Sequence, residues 1–431
     1  MRIIWITNIP IGPLCELAGQ YKSPNGSWLE AAFSAIEEVM ELELTIVTVA
    51  RVKSIRKLNK NRHSYYVLPG GFPAEYNCNS LRNKKIWEKV KEECCPDLIQ
   101  IWGTEFTHGY LALKVMKEIP AIIYMQGMIG QIARHYLSGI SEKELTQSIT
   151  LRDIIKLDGI KQKQMKFSKR AVIESEMIRL SGNIIVENEW CEAHCKAIAP
   201  DCNIYKSKLN IKKEFFNTKW DPEVSSPYTI LSNAAGSPIK GLHFLIKALS
   251  LVVCKYPEAR LVIPGVKSPF DKSFFRKLVI DGYTKYLIKL IRKFKLENNI
   301  HFLGYLSSYQ MAEQMATANV FVMSSSIENH SSTLIEAMIV GTPCISSYVG
   351  GIPEYLIPNF NGLLYRFEDY EMLAFNIVKI FDDIKFGSEL AKNGSNDMRN
   401  SRNDKNLGSE LLGIYKKVMF NYFKQKEING D

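Results

Sequence analysis

The stretch NVFVMSSSIENHSSTLIEAM, Asn319 to Met338, reads as a short β-branched apolar run, a loop of small hydroxyl residues and then a helix. Gly341 and Pro343 follow, so the helix should close before the glycine, with the proline blocking any continuation. The same unit recurs on either side. RIIWITN (Arg2–Asn8), LTIVTVA (Leu44–Ala50), DLIQIWG (Asp97–Gly103), AIIYMQG (Ala121–Gly127) and NIIVENE (Asn183–Glu189) are apolar segments separated by helix-compatible stretches. YTILSNA (Tyr228–Ala234), RLVIPG (Arg260–Gly265), IHFLGYL (Ile300–Leu306) and CISSY (Cys344–Tyr348) repeat the pattern further on. Strands alternating with helices imply parallel sheets covered on both faces.

A chain of 431 residues, 46% of them hydrophobic, is too long for one ordinary core and long enough for two. Periodicity lapses in IKKEFFNTKWDPEVSSP, Ile211–Pro227, which suits a linker. The expectation is therefore an α/β protein of two Rossmann-like, doubly wound domains, residues 1–215 and 216–395. A helical segment, 396–431, would pack back across them. Ligands of such sheets bind beyond the carboxyl ends of the strands, so two domains facing one another would form a cleft.

Within the opening stretch, Glu328 and Glu336 stand eight positions apart. Eight helical residues advance about 80° beyond two turns, so the two acids could share a ligand only if the first lies on the loop. With the helix opening at Thr333, Glu336 falls in its first turn and the N–H groups from Ser331 to Leu334 are open to an anion. An acid there suits a ribose diol. The competing reading is a capping box, in which Thr333 and Glu336 satisfy each other's backbone donors.

The longer run ENHSSTLIEAMIVGTPCISSYVGGIPEYL, followed by NGLLY (Asn361–Tyr365), resembles the signature of retaining, nucleotide-sugar-dependent glycosyltransferases of the GT-B fold, the glycosyl transferases group 1. PDLIQIWGTE (Pro96–Glu105) and PIKGLHFLIKAL (Pro238–Leu249) are weaker likenesses. The resemblance implies that Glu336 holds the ribose, that Glu328 lies near the donor sugar and that Lys240 neutralises the diphosphate. It further implies that the amides of Ser331, Ser332 and Thr333 meet sugar and phosphate, and that Gly26 and Ser27 belong to a glycine loop approaching the donor. Glu105, His108 and Gln126 follow strands of the first domain, on the acceptor side, where His108 could hold a sugar hydroxyl or equally be a structural histidine. Two departures stand out. Ala235 occupies the place of a family arginine, and Asn329 and His330 replace the glycine and aromatic residue that follow the first glutamate.

Glycosyl transfer builds oxocarbenium character on the sugar and negative charge on the departing diphosphate. Lys240 and a helix N-terminus would answer that charge with neither metal nor cofactor; the donor, UDP- or GDP-linked, is a co-substrate. CEAHC (Cys191–Cys195) with Cys202 invites a metal, but the paired clusters of structural zinc sites are lacking. Nine scattered cysteines and no leader pattern fit a reducing cytosol. The excess of 55 basic over 45 acidic side chains, +10, favours an anionic partner. Arg51–Arg62, Lys161–Arg170 and Lys285–Lys295 could contact the inner face of a membrane beside a glycan or lipid-linked acceptor, or be lysines on solvated helices. No stacking-aromatic or zinc-finger module accompanies them, which argues against nucleic acid. The function expected is retaining transfer in cell-surface polysaccharide synthesis. A catalytically silent nucleotide-sugar-binding protein, or an epimerase of similar architecture, is the rival.

Overall fold

The computed structural model describes residues 1–19, 27–71, 76–234, 236–270, 280–402 and 406–429. The chain forms two compact units, each assembled from separate pieces. The first contains residues 1–130, 168–210 and the last helix; the second contains 131–167 and 211–404. The division thus departs from contiguous spans of 1–215 and 216–395, because the helices between 131 and 167 bury Tyr136, Ile140, Leu145 and Ile160 in the core of the second unit.

In the first unit the strands are β1 (Arg2–Thr7), β2 (Glu43–Ala50), β3 (Arg56–Lys60), β4 (His63–Pro69), β5 (Leu98–Trp102), β6 (Ala121–Tyr124), β7 (Asn183–Val186) and β8 (Asn203–Lys206). They form one sheet in the order β3-β4-β2-β1-β5-β6-β7-β8, parallel except for the antiparallel pair β3 and β4. Both faces of β1 are covered: Ile3 and Trp5 lie in one apolar core, Ile4 and Ile6 in the other. The final helix, Leu407–Asn429, closes the first of these cores, with Trp5 Nε1 donating to the Tyr415 hydroxyl at 3.1 Å.

The second unit carries β9 (Thr229–Leu231), β10 (Arg260–Pro264), β11 (Ile300–Gly304), β12 (Val320–Met323), β13 (Cys344–Ser347) and β14 (Leu363–Tyr365). Their order is β11-β10-β9-β12-β13-β14, parallel throughout. In each unit the chain winds outward from one central strand and then returns to its other side. The switch falls between β1 and β5 in the first sheet and between β9 and β12 in the second. The loops leaving those strands border the crevice where open α/β sheets bind ligands.

Every strand expected from an apolar run is present, while β3, β4, β8 and β14 are additional. β3 is exposed along its whole length and rich in lysine and arginine, as a protected sheet edge requires, so the basic run Arg51–Arg62 holds a strand and not a solvated helix. The segment 211–227 is no free linker. It contains the helix Lys213–Asn217, buries Phe215 and Trp220 in the second unit's core, and fixes Trp220 by Nε1 to the Ala318 carbonyl (2.7 Å) and by N–H to the Val340 carbonyl (2.9 Å). Trp220→Ala should therefore cost about 3 kcal/mol or more in urea unfolding, whereas a linker position would change stability by less than about 0.5 kcal/mol.

Candidate active site

The loop after β9 and the loop after β12 are strapped together. The Ser326 N–H donates to the Ile239 carbonyl at 2.7 Å and Ser324 Oγ to the Lys240 carbonyl at 3.0 Å. Gly241 makes this approach possible: its φ is +70°, and a Cβ there would stand 1.7 Å from the Ser324 carbonyl oxygen. The strap leaves Lys240, at the end of a 3-10 turn, with Nζ 2.5 Å from Glu328 Oε1. Ser325 Oγ donates to the same oxygen at 2.7 Å. The structure thus brings together the two side chains expected to act on the leaving group and the sugar.

From the other side, the glycine turn of VGGIPE braces Glu328. A Cβ on Gly350, φ +52°, would fall 1.7 Å from the Glu328 carbonyl oxygen, and the Gly351 N–H donates to that oxygen at 3.3 Å. The next helix is Ser332–Val340, capped by Ser331, whose Oγ accepts from the Leu334 N–H at 3.3 Å. It opens one residue earlier than expected, and Leu334 is not among its open donors. The N–H groups of Ser331, Ser332 and Thr333 have no acceptor among the described residues. These groups carry the positive end of the helix.

Glu336 consequently lies in the second helical turn, not the first, and forms no capping box. It is 8% exposed, and no described residue donates to its carboxylate. Burial raises its pKa from 4.5 to about 7, partly offset by the charge of Lys212. A buried carboxyl without donors is costly. The departures after Glu328 are accommodated locally: Asn329 is buried, and Arg402 Nη2 stands 2.6 Å from His330 Nε2. Because a guanidinium only donates, Nε2 accepts and the ring proton sits on Nδ1. Ala235 and Gly26 lie outside the described residues, and of Ser27 only the backbone is described, opening the helix Ser27–Glu37.

At the first sheet's switch point, Glu105 is held by Asn8 Nδ2 on Oε2 (2.5 Å) and the Gly127 N–H on Oε1 (3.1 Å). Gly103, φ +84°, is required here, since a Cβ would sit 2.0 Å from Glu105 Oε2. Burial, reinforced by the nearby Glu174, lifts the Glu105 pKa to about 7. Gln126 is half-buried beside Gly127 on the loop after β6. His108 is a correction. It is 1% exposed, with Nε2 3.1 Å from the Thr7 carbonyl and a pKa lowered to about 4 by burial. Its ring therefore supports the end of β1 and is not presented to an acceptor. Glu174, which the sequence reading missed, is buried and accepts from Thr104 Oγ1 (2.6 Å) and the Ile129 and Gly130 N–H groups (both 2.8 Å). It lies mid-helix without a flanking motif, so only the fold reveals it. Cys191 and Cys195 are buried in the core, while His194 packs edge-on against Trp190. Among the described residues no cluster of three or more such side chains could hold a metal ion.

Two doubly wound sheets of this order define the GT-B glycosyltransferase fold. Over 97% of this chain and 99% of theirs, the structure is similar to sucrose-phosphate synthase from Thermosynechococcus elongatus (TM-score 0.71, 16% identity) and to Anabaena HepE in complex with UDP-glucose (TM-score 0.64, 15% identity). Residues 215–397, within the second unit, match the family Glycosyl transferases group 1. A curated relative, the GDP-mannose-dependent monoacylated α-(1-6)-phosphatidylinositol monomannoside mannosyltransferase of Corynebacterium glutamicum, is 29% identical over 161 residues, 36% of this chain and 38% of the relative. The chain spans between 38% and 60% of the length of this and two other curated relatives.

Glu336 also sets a pH dependence. Its folded-state pKa lies above its unfolded value, so between about pH 4.5 and 7 the native state keeps a proton that the unfolded chain has released. Stability therefore falls as pH rises through that window and levels off above it. Glu336→Gln should remove a slope of up to about 1.4 kcal/mol per pH unit, read as the difference between wild-type and variant urea unfolding across the window.

Proposed function

We propose that the protein is a retaining glycosyltransferase that moves a sugar from a UDP- or GDP-linked donor to a glycan or lipid-linked acceptor in cell-surface polysaccharide synthesis, working at the cytoplasmic face of a membrane. The observation that carries this reading is the junction after β12. It carries Glu328, three open amides at a helix mouth and an unbonded buried Glu336 on one loop and helix at the switch point, with Lys240 brought against Glu328 from the loop after β9. The family match supports transfer over epimerisation. The choice between UDP and GDP is framed by the GDP-mannose dependence of the Corynebacterium relative and the UDP-glucose held by Anabaena HepE.

The proposed chemistry follows from charge. As the glycosidic bond to the diphosphate lengthens, negative charge grows on the leaving oxygens, and fixed donors aimed there lower the barrier without reorganising. Lys240 and the amides of Ser331, Ser332 and Thr333 supply that field. Glu336 accepts the two ribose hydroxyls, which satisfies a carboxylate that the protein leaves without donors. Glu328 turns Lys240 toward the phosphates and, once the diphosphate takes the ammonium, places its carboxylate beside the electron-poor sugar. The acceptor attacks from the face the diphosphate leaves, so configuration is retained and no side chain is assigned as nucleophile. Gly26 and Ser27 would approach the donor, and Glu105 and Gln126 the acceptor.

Donor consumption, assayed over a panel of nucleotide sugars with and without acceptor, tests the reading. Lys240→Ala should lower kcat by roughly 100- to 1,000-fold; wild-type turnover would remove Lys240 from the chemistry. Absence of both hydrolysis and transfer with every donor, alongside intact nucleotide binding, would identify a silent binding protein. In calorimetry Glu336→Ala should weaken nucleoside diphosphate binding at least about tenfold, the loss of about 1.4 kcal/mol. Unchanged affinity would assign Glu336 a structural role only.

A further inference from the structure

Residues 149–157 invert the ordinary pattern of a surface helix. The short helix Leu151–Lys156 turns Asp153 inward and leaves Leu151, Ile154 and Ile155 outward. With Ile149 and Leu157 they make five aliphatic side chains within nine residues, each between 49% and 73% exposed. The segment is not a frayed end. Thr150 and Asp153 form a capping box, Arg152 grips Asp158 by two bonds of 2.8 and 2.9 Å, and Lys285 Nζ donates to the Ile149 carbonyl at 2.9 Å. A cavity of about 280 Å³ opens beside the aliphatic row, walled by Leu145, Ile149, Ile154 and Ile160. Protein structure that holds a run of aliphatic side chains in water needs a reason outside the unit.

The surrounding charge says what kind. Acids here are neutralised internally: Asp153 and Asp158 by Arg152, Glu142 by Lys161, and Asp281 by Lys163 at 3.0 Å. Glu144 is occupied by Ser141 and by the Tyr286 hydroxyl. Lys143, Lys156 and Lys166 have no acid partner among the described residues. The neighbouring helix, Gly282–Lys293, adds Lys285, Lys289, Arg292 and Lys293 and contains no acid. Aliphatic side chains framed by unpaired cations match the two layers of an anionic bilayer surface, acyl chains beneath phosphate headgroups. A symmetric contact between two copies would instead set these cations against each other.

We propose that residues 149–157, with Lys143, Lys156, Lys166 and the basic helix Gly282–Lys293, form the surface by which this protein docks on an anionic lipid bilayer. It supplies the surface for the membrane contact proposed above. Because docking is scored without sugar transfer, its failure would leave the donor-site reading standing.

The test is co-sedimentation of the full chain with vesicles of phosphatidylcholine alone and of phosphatidylcholine with phosphatidylglycerol, at low and high salt. Wild type should partition onto the anionic vesicles and be released by salt. The double variant Ile154→Ser, Ile155→Ser and the charge variant Lys156→Glu, Lys166→Glu should each lower the partition coefficient by roughly tenfold or more, with unchanged melting temperature because the altered side chains are exposed. Equal binding to both vesicle types, no binding to either, or variants that partition like wild type would overturn the proposal. So would concentration-dependent dimerisation in sedimentation velocity that the serine variant abolishes, since the patch would then be a self-contact.

Discussion

The candidate site depends on two hydrogen bonds between loops that are far apart in sequence, from Ser326 and Ser324 to the carbonyls of Ile239 and Lys240. They fix the backbone under Lys240, so the ammonium reaches Glu328 without the side chain having to search for it. The side chains of Lys240 and Glu328 are 32% and 13% exposed, so the pair is partly withdrawn from water and each charge would be left at a cost if the other were removed. A nucleoside diphosphate is a partner that can replace Glu328 at Lys240 with more negative charge. An apolar ligand cannot. Under the proposed function the resting ion pair would act as a filter, since the ligand must bring its own anion before the lysine becomes available.

Carboxyls recur at both switch points, yet their surroundings differ in kind. Glu105 accepts from Asn8 and Gly127 and is held by its own unit. Glu336 is as strongly shifted toward neutrality, but burial acts on it with no donor from the described residues to compensate. Similar titration thus comes from a satisfied group in one case and an unsatisfied one in the other. Only the second is an argument for a missing ligand. His108 is tied at one nitrogen, Nε2 to the Thr7 carbonyl, while its buried Nδ1 has no partner among the described residues.

How much of this was legible in the sequence follows from what sets each feature. Strands buried on both faces announce themselves as apolar runs, which is why β1, β2, β5, β6, β7, β9, β10, β12 and β13 could be read directly; β11, a partly exposed edge strand, was legible from its apolar letters alone. β3 and β4 form a hairpin without an intervening helix, and β3 faces water along its whole length, so an alternation of strand and helix passes over them. The glycines at 241 and 350 were visible as motif letters, but the contact that forbids a side chain there exists only in the folded backbone. Likewise Lys240 and Glu328 are 88 positions apart, and no local pattern reports that they pair. The capping box failed because the N-cap lies two residues sooner, at Ser331 and not at Thr333.

Net charge behaves in the same way. An excess of +10 suggests an anionic partner but does not say where it binds. At the candidate site Lys240 is already matched by Glu328. Cations without acid partners stand around residues 141–167 and along Gly282–Lys293, among others on the surface, and the acids Glu142, Asp153, Asp158 and Asp281 of this region are consumed by internal pairs. A pocket for one nucleotide needs a few fixed donors with exact geometry, whereas a broad field of unpaired lysines beside exposed aliphatic side chains is matched by an extended surface. Composition alone merges these two demands; the distribution of pairs in the folded chain separates them.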